Sequence, residues 1–236
     1  MKMSLNLFDA YNLRARTSVV LIYVLPFLFD GISFCGKGIS AIEGAILTIL
    51  FFVTVQCTLH LCRSNRQPLN KDYAAELLLP DSAIPETTRK RYYRKIASFE
   101  PEFTAFGNAD MSNTQGKITT DLCKSVITWL RAKTRDNKVF SLVYEENINY
   151  GFIRNMFNLK KIGIIFNCMA MLSLAIIFFT PFFENYRPTH FILALEIAAH
   201  VIVTIYLIAA ITKNKVDISA KRYAKALIET IDLIEK

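Results

Sequence analysis

The chain has 236 residues, of which 53% are hydrophobic, and its formal net charge at pH 7 is +8. The hydrophobic residues are concentrated in four runs, which excludes an ordinary soluble domain and leaves room outside the runs for one modest domain and tails. An excess of Lys and Arg over Asp and Glu can indicate a soluble nucleic-acid-binding protein. Here the excess fits better a membrane protein whose Lys and Arg residues flank its spans.

Residues 1–16 predict a short N-terminal amphipathic segment. Its apolar side chains fall at helical spacing and two arginines end it; these residues are Met3, Leu7, Phe8, Tyr11, Arg14 and Arg16. One interpretation is a helix that lies in the membrane interface as an anchor. The alternative is a segment that folds into the mouth of a pore.

The first two hydrophobic runs, 17–35 and 41–62, predict transmembrane helices 1 and 2 within residues 17–62. Each run has about the twenty residues that a helix needs to cross a hydrocarbon core of ~30 Å. Asp30 and Glu43 lie in the outer thirds of these runs. A charged group inside a span costs about 2.5–3.5 kcal/mol, so both are candidate functional residues.

Residues 63–161 predict a cytosolic domain that is all helix. Helices are expected at 70–79, 85–99, 117–133 and 139–161, the last running into the third span with a soft break at Gly151. The clearest is 117–133, because its apolar residues line one face. These residues are Ile118, Leu122, Val126, Trp129 and Leu130.

The densest charge cluster lies on the helix predicted after Pro85. It consists of Arg89, Lys90, Arg91, Arg94 and Lys95, with Tyr92 and Tyr93 between them. Arginine and tyrosine in this arrangement can hold phosphates while free aromatic rings stack on bases. The cluster fits anionic lipid headgroups as well. A solvated helix face with no ligand is the third interpretation.

The last two hydrophobic runs, 162–183 and 190–212, predict transmembrane helices 3 and 4 within residues 162–212. Glu196 and His200 lie one turn apart on one face of the fourth, and Thr204 extends the same stripe. Lipid does not solvate such a stripe, so it faces other helices or water.

Three interpretations of this stripe remain open. Its side chains bond to partners inside a four-helix bundle and fix the packing; or they line an aqueous path between subunits; or they form a proton relay or metal site. In the second, Asp30, Glu43 and Glu196 would form acidic rings that favour cations. In the third, the two ligands Glu196 and His200 are too few for a metal ion.

The cytosolic tail 213–236 contains a second amphipathic helix, predicted at 217–235. Its apolar stripe must be buried against a protein surface. The stripe consists of Ala220, Tyr223, Ala224, Leu227, Ile228, Ile231 and Ile234. The partner is either the cytosolic helices of the same chain or another subunit.

The distribution of Lys and Arg predicts the orientation. Three precede the first run, seventeen lie in 63–161 and six follow residue 212, whereas each short connector holds one. By the positive-inside rule, both termini and the large loop face the cytoplasm. The chain is therefore predicted to be a multi-pass protein of the inner (cytoplasmic) membrane.

Motifs typical of enzymes are absent from the sequence. It has no P-loop, no G-x-G-x-x-G after a strand, no G-x-S-x-G and no Cys/His ligand set. The three histidines lie in or beside the spans, and the five cysteines contain no C-x-x-C pair. We expect no enzymatic activity, no cofactor and no metal ion, and nucleic acid is disfavoured as a partner.

The order of two spans, a helical cytosolic loop, two spans and a helical tail resembles two known groups. Large-pore channels of the connexin type are similar in topology, but their outer loops are long and cysteine-stapled, whereas 36–40 and 184–189 are short. The chain also resembles small four-transmembrane effector proteins of prokaryotic anti-phage defence systems. In those, a cytosolic sensor triggers a membrane protein that permeabilises the cell. The likeness is one of architecture and size and transfers no functional residue.

The sequence thus predicts an all-α, polytopic membrane protein with four transmembrane helices and a helical cytosolic domain. The leading hypothesis is a homo-oligomeric pore or membrane-perturbing effector in contact with membrane lipids. Its gating through the cytosolic helices would respond to a soluble sensor protein or a nucleotide signal. The alternative is a membrane-anchored adaptor or regulator that recruits a soluble protein through helix 117–133 or the basic cluster. A lipid-binding or lipid-modifying protein, marked by the basic helix, is a third hypothesis.

Overall fold

The computed structural model describes residues 10–34, 71–107, 118–181, 184 and 188–234. The described residues are helical and include no strand, as the sequence predicts. The predicted second span, with Glu43, lies outside them, and so do residues 1–9 of the N-terminal segment.

A short helical turn, Ala10–Asn12, and a π-helical segment, Leu13–Thr17, lead into the first long helix. The elements that follow are α1 (Ser18–Phe34), α2 (Tyr73–Leu77), α3 (Glu86–Phe99), a 3-10 helix (Pro101–Phe106), α4 (Thr120–Lys133), α5 (Ser141–Phe179), α6 (His190–Ala209), α7 (Lys213–Glu229) and a 3-10 turn (Thr230–Asp232). The expected break at Gly151 is wrong, because α5 is helical through that residue.

Polar side chains cap the starts of α2, α4 and α6. Asp72, Thr119 and Thr189 each accept a hydrogen bond from the backbone N–H three residues further on, at 3.2–3.3 Å. Because the first N–H groups of a helix have no partner within the helix, such caps fix where it begins. Pro85 precedes α3, whose first turn carries Glu86, where an acidic group suits the helix dipole.

Among the described residues, α5 and α6 are long and apolar enough to cross a membrane. Only 17% of the most apolar 18-residue stretch of each helix is buried. The core helix of a soluble protein would be mostly buried, so the exposed apolar surface of α5 and α6 supports membrane association. Their exposed side chains include Phe166, Leu172 and Phe179 on α5 and Phe191, Ile202 and Ile205 on α6.

The predicted spans correspond to helices as follows. The third ends four residues early, because α5 stops at Phe179 before Pro181. The fourth corresponds to α6. The first corresponds to α1, which has 17 residues and contains Pro26.

Contacts divide the chain into two compact units. The first unit comprises Met1–Arg66 and Gly151–Val216, and the second comprises Gln67–Tyr150 and Asp217–Lys236. Residues 151–161, predicted as cytosolic, thus belong with the spans, because Gly151 and Asn155 pack against Ala15.

The first unit packs α1, α5 and α6 together through a small apolar cluster. Val19 of α1, Met156 and Leu159 of α5, and Leu207 of α6 are buried in it. Lys160 of α5 donates hydrogen bonds to the carbonyls of Ile208 and Ile211, at 3.2 and 2.8 Å, where α6 ends. A lysine in this position satisfies carbonyls that have no partner within the helix.

The second unit is built around α3, α4 and the C-terminal helix. The apolar stripe predicted for the tail is buried here, against helices of the same chain rather than against another subunit. The shared cluster includes Ile96 of α3, Val126, Ile127 and Leu130 of α4, and Ala224, Leu227, Ile228 and Ile231 of the tail. Full burial of such aliphatic side chains stabilises a fold by about 1.5–3 kcal/mol each.

Candidate functional site: a buried polar seam

α5 carries small and polar residues where it contacts the π-helical segment, α1 and α6. These residues are Gly151, Asn155, Gly163 and Asn167, and Asn155 and Asn167 are 8% and 2% exposed. We call the buried or half-buried polar residues at these contacts in the first unit the polar seam. It consists of Asn155 and Asn167 of α5, Glu196, His200 and Thr204 of α6, and Asp30 of α1.

At one end of the seam, α5 contacts the π-helical segment before α1. Asn155 donates a hydrogen bond from Nδ2 to the carbonyl oxygen of Ala15, at 2.8 Å. A Cβ atom at Gly151 would lie 2.6 Å from the Tyr11 hydroxyl and 3.2 Å from Ala15 Cβ. A π-helical turn displaces its carbonyls from the usual α-helical pairing, and Asn155 satisfies one of them.

Near its middle, α5 contacts the ring of Tyr23. The Tyr23 hydroxyl donates to the carbonyl oxygen of Met156 at 2.9 Å. The same ring covers Gly163 so closely that a Cβ atom there would overlap it. Glycine therefore allows α1 and α5 to approach closely, as small residues do between membrane helices.

The other end of the seam is a hydrogen-bonded cluster on His200. The imidazole Nε2 lies 2.9 Å from Asp30 Oδ2, and Nδ1 lies 2.5 Å from Asn167 Oδ1. Asn167 Nδ2 donates to the His200 carbonyl at 2.8 Å and to Thr204 Oγ1 at 2.6 Å. Thr204 donates in turn to the His200 carbonyl at 2.9 Å. The cluster thus joins α1, α5 and α6.

His200 is fully buried, and the edge of the Phe27 ring packs against it with centroids 5.8 Å apart. Polar groups in so dry a site are tolerated because they bond to one another. The cluster therefore specifies one arrangement of the three helices, since each side chain has its partner on a different helix.

Of the five intramembrane residues that the sequence singles out, Asp30, His200 and Thr204 lie in this cluster. Glu196 lies one turn before His200 and is 0% exposed. Glu43 lies outside the described residues. Of the four residues that the structure describes, Asp30, Glu196 and His200 are buried and Thr204 is half-buried.

Sequence reasoning missed Asn155 and Asn167. Asn155 lies outside the hydrophobic runs and carries no signal in the sequence, whereas Asn167 is an amide inside one of them, and ionisable groups alone do not cover it. Asn167 lies five residues into the third hydrophobic run, where an amide is nearly as conspicuous as an acid.

The basic cluster of the second unit is mostly engaged by its own chain. Arg91 forms a two-pronged ion pair with Asp232, with Nε and Nη2 at 3.1 and 2.5 Å from the carboxylate oxygens. Lys95 donates to the Asp232 carbonyl at 2.6 Å, and Lys90 pairs with Glu86 at 2.8 Å. Arg94 is exposed.

The burial of the two tyrosines disfavours the interpretation in which their rings stack on bases. Tyr92 and Tyr93 are only 5% and 3% exposed. Tyr93 donates to the Leu78 carbonyl at 2.7 Å, and burial raises its pKa to about 12. Arg89, the remaining basic residue, donates to the Ile84 carbonyl at 3.3 Å. These contacts favour a structural role for most of the cluster over a base-stacking one.

The second unit also contains an open groove of about 950 Å³. It lies between residues 79–85, before α3, and the exposed side of α7. Apolar residues such as Leu79 and Ile84 line it together with Lys221, Lys225 and Glu229. A groove of this size accommodates a peptide segment or a small ligand.

Within the described part of the chain, no group of three or more His, Cys, Asp or Glu residues is arranged to hold a metal ion. No family model, curated protein or solved structure matches the chain. The chemistry of the site therefore rests on its residues and their contacts.

Proposed function

We propose that the chain is a multi-pass inner-membrane protein, with both termini in the cytoplasm, that assembles into a homo-oligomer and forms or gates a pore. The polar seam is the observation that carries this proposal. Ionisable and amide groups are expensive between membrane helices and commonly mark ion or proton paths and gates. Here they lie at the contacts among α1, α5, α6 and the π-helical segment, while other sides of α5 and α6 expose apolar side chains.

In this proposal the structure corresponds to a non-conducting state. His200 is 0% exposed and its ring nitrogens contact Asp30 and Asn167, so the seam is filled by its own side chains. Conduction requires α1 to separate from α6, or the seam to join that of a neighbouring chain. Either step turns buried groups into groups that line water.

Gating through the cytosolic helices is supported by the continuity of α5. Residues 141–150 of this helix belong to the second unit, and the residues from Gly151 onward belong to the first. A partner or ligand that repacks the start of α5 would therefore act on the helix that carries Asn155 and Asn167. Coupling of this kind requires that α5 have two alternative packing arrangements.

Ion flux from liposomes that contain the purified full-length protein tests the pore. We expect Glu196→Gln and His200→Ala to change the flux at least several-fold, because the first removes an ionisable group from the seam and the second removes the imidazole. Ile202→Ala is the matched control, since Ile202 is on the same helix and is 66% exposed. Flux that is absent under every trigger tried, or untouched by both seam variants, would contradict the proposal.

A role in anti-phage defence is the biological setting that we propose for such a pore. It rests on the architectural likeness to small four-span effectors. Bacteria that express the protein should plate phage less efficiently and lose membrane potential during infection. The His200→Ala variant should reverse both effects. Unchanged plating across a broad phage panel would argue for another setting.

The adaptor hypothesis is favoured by a different observation, the groove of the second unit. A soluble partner that inserts a segment there would contact the apolar residues that line the groove and the lysines of α7. Pull-down with the full-length protein in nanodiscs, beside a Lys221→Glu and Lys225→Glu variant, separates the hypotheses. A stoichiometric partner that the variant loses, together with no ion flux, would favour the adaptor over the pore.

A further inference from the structure

The orientation of the Asn167 amide is determined by its neighbours. Its nitrogen lies 2.8 Å from the His200 carbonyl oxygen. That oxygen can only accept a hydrogen bond, so the atom facing it must be the donor Nδ2. The flipped amide would place two acceptors against each other. Oδ1 is therefore the atom that lies 2.5 Å from the imidazole Nδ1.

The tautomer of His200 follows from this orientation. Because Asn167 Oδ1 carries no hydrogen, Nδ1 must carry one and donate it. The second ring nitrogen, Nε2, then faces Asp30 Oδ2 at 2.9 Å. A hydrogen bond at that distance needs one proton between the two atoms.

This proton can lie on either side of the contact. An imidazolium facing a carboxylate and a neutral imidazole facing a carboxylic acid each contain one proton and have zero net charge. Removing it leaves two lone pairs facing each other and one buried negative charge. Adding another leaves a buried positive charge. Both are costly in a site of low dielectric.

We propose that Asp30 and His200 form a buried site that binds one proton and that this proton holds α1 against α6. Asn167 is the positioning residue, because it directs Nε2 toward Asp30. The ligand is the proton itself. The site needs only contacts within the first unit and does not depend on ion conduction.

The proton count gives the direction of the pH effect. When the helices separate and the pair meets water, an ordinary imidazole loses its proton above about pH 6.5 and an ordinary carboxyl gains one below about pH 3.9. The separated state then holds fewer protons than the closed state at high pH and more at low pH. Separation is therefore favoured outside the interval between these values, by up to tenfold per pH unit.

Among the described residues, Phe27 of α1 packs on the His200 ring, Asn167 of α5 contacts its Nδ1, and Thr204 of α6 contacts Asn167. Glu196, which is also fully buried, lies one turn before His200 on α6. Among the described residues, Glu196 is the other ionisable group within one turn of His200. Its carboxylate could supply or compete for the proton. A Glu196→Gln variant therefore belongs in every measurement.

The tautomer is tested by ¹⁵N NMR of full-length protein labelled on histidine, in detergent micelles near pH 7. The signal of His200 is identified by its loss in His200→Gln. We expect Nδ1 to be protonated in wild type. In Asp30→Asn, the new amide can donate to Nε2, so a neutral Nδ1–H ring with an accepting Nε2 should remain. A wild-type ring with unprotonated Nδ1 would overturn the proposal without any variant having to fold.

The pH effect is tested by SDS-induced unfolding of the full-length protein in mixed micelles between pH 6 and 9. The folded-to-unfolded ratio of wild type should fall by up to tenfold more per pH unit than that of Asp30→Asn. The comparison isolates the pair, because the other titrating groups contribute equally to both proteins. Glu196→Gln should keep the wild-type slope. Equal slopes for wild type and Asp30→Asn, or loss of the slope in Glu196→Gln alone, would overturn the proposal. Neither readout involves ion flux, so failure of the pore would leave it intact.

Discussion

At the scale of single residues, Gly163 lies at a close contact between α1 and α5. The ring of Tyr23 occupies the space where a side chain would begin, and its hydroxyl is held by the Met156 carbonyl. At Gly31 of α1, by contrast, no atom from another described part of the chain lies within 4 Å of the point where the methyl group of an alanine would lie. The two glycines are therefore a matched pair for testing helix packing.

We predict that Gly163→Ala destabilises the first unit by about 1–3 kcal/mol, the usual cost of overpacking. Gly31→Ala should be neutral or stabilise by up to about 1 kcal/mol, because alanine favours a helix over glycine. SDS-induced unfolding measures both changes. Equal effects of the two substitutions would show that Tyr23 does not hold α1 against α5.

A second prediction concerns the thiol of Cys123 in the second unit. It is 0% exposed, and burial raises its pKa to about 11. At pH 8 about one thiol in a thousand is then ionised, and only the thiolate reacts with maleimide. In a variant that retains Cys123 as its sole cysteine, labelling should be at least 100-fold slower than for a free thiol.

The labelling rate of Cys123 should rise about tenfold per pH unit below its pKa and jump when SDS unfolds the protein. The unfolded sample of the same variant is the control for reagent quality. Rapid labelling of the folded protein at pH 8 would contradict the packing of α4 in the core.

Residue identity predicted part of the site. Asp30, Glu196 and His200 stand out because ionisable groups are expensive inside apolar helices, and that cost does not depend on the fold. The pairing of Asp30 with His200 was not predictable, since the two residues are 170 positions apart. The same holds for Arg91 and Asp232, which are 141 positions apart.

At the scale of elements, the C-terminal helix is held by its apolar stripe. Leu227 is 0% exposed in the core of the second unit, whereas Leu233 at the end of the tail is 67% exposed. We predict that Leu227→Ala costs about 2–5 kcal/mol, because it leaves a cavity. Leu233→Ala should stay within about 0.5 kcal/mol. Thermal unfolding of the full-length protein measures both, and comparable losses would contradict the packing of the tail.

The contact between α3 and the tail also tests the anionic-ligand hypothesis. Arg91 and Asp232 are 55% and 34% exposed at their side chains, so their ion pair contributes little to stability. Asp232→Asn should therefore leave stability nearly unchanged while releasing Arg91. If the cluster binds anionic headgroups, the variant should bind vesicles with phosphatidylserine more strongly than wild type.

The vesicle experiment is run with the protein in nanodiscs and compared with neutral vesicles. Arg91→Gln is the matched control, because it removes the group that Asp232→Asn releases. Equal binding of all three proteins would leave the cluster with a structural role only. Binding that increases with neutral vesicles as well would show that charge is not its cause.

At the scale of the whole molecule, the exposed apolar side chains of α5 and α6 are the feature that supports membrane association. Leu172 lies in the predicted third span and is 62% exposed, whereas Leu142 lies in the second unit and is 59% exposed. Both are leucines on α5, so they differ chiefly in the solvent that is proposed to surround them.

We predict that Leu172→Arg sharply reduces the amount of protein in membranes, because arginine in a span costs about 2.5–3.5 kcal/mol on insertion scales. Leu142→Arg should have little effect. Membrane pellets after alkaline carbonate extraction, probed for the protein, measure both. Equal recovery of the two variants would contradict the assignment of 162–183 to the bilayer.

The sequence by itself determined the helical class, the positions of α3 to α7 and the residues that lipid does not solvate. These depend on local terms: the 3.6-residue period, side-chain caps, and the cost of a charge in an apolar run. Only the tertiary structure decided which groups meet. It paired Asp30 with His200, placed Asn167 of α5 against His200 of α6, and buried the tail against α3 and α4. Local sequence patterns do not determine these contacts, because they join residues far apart in the chain.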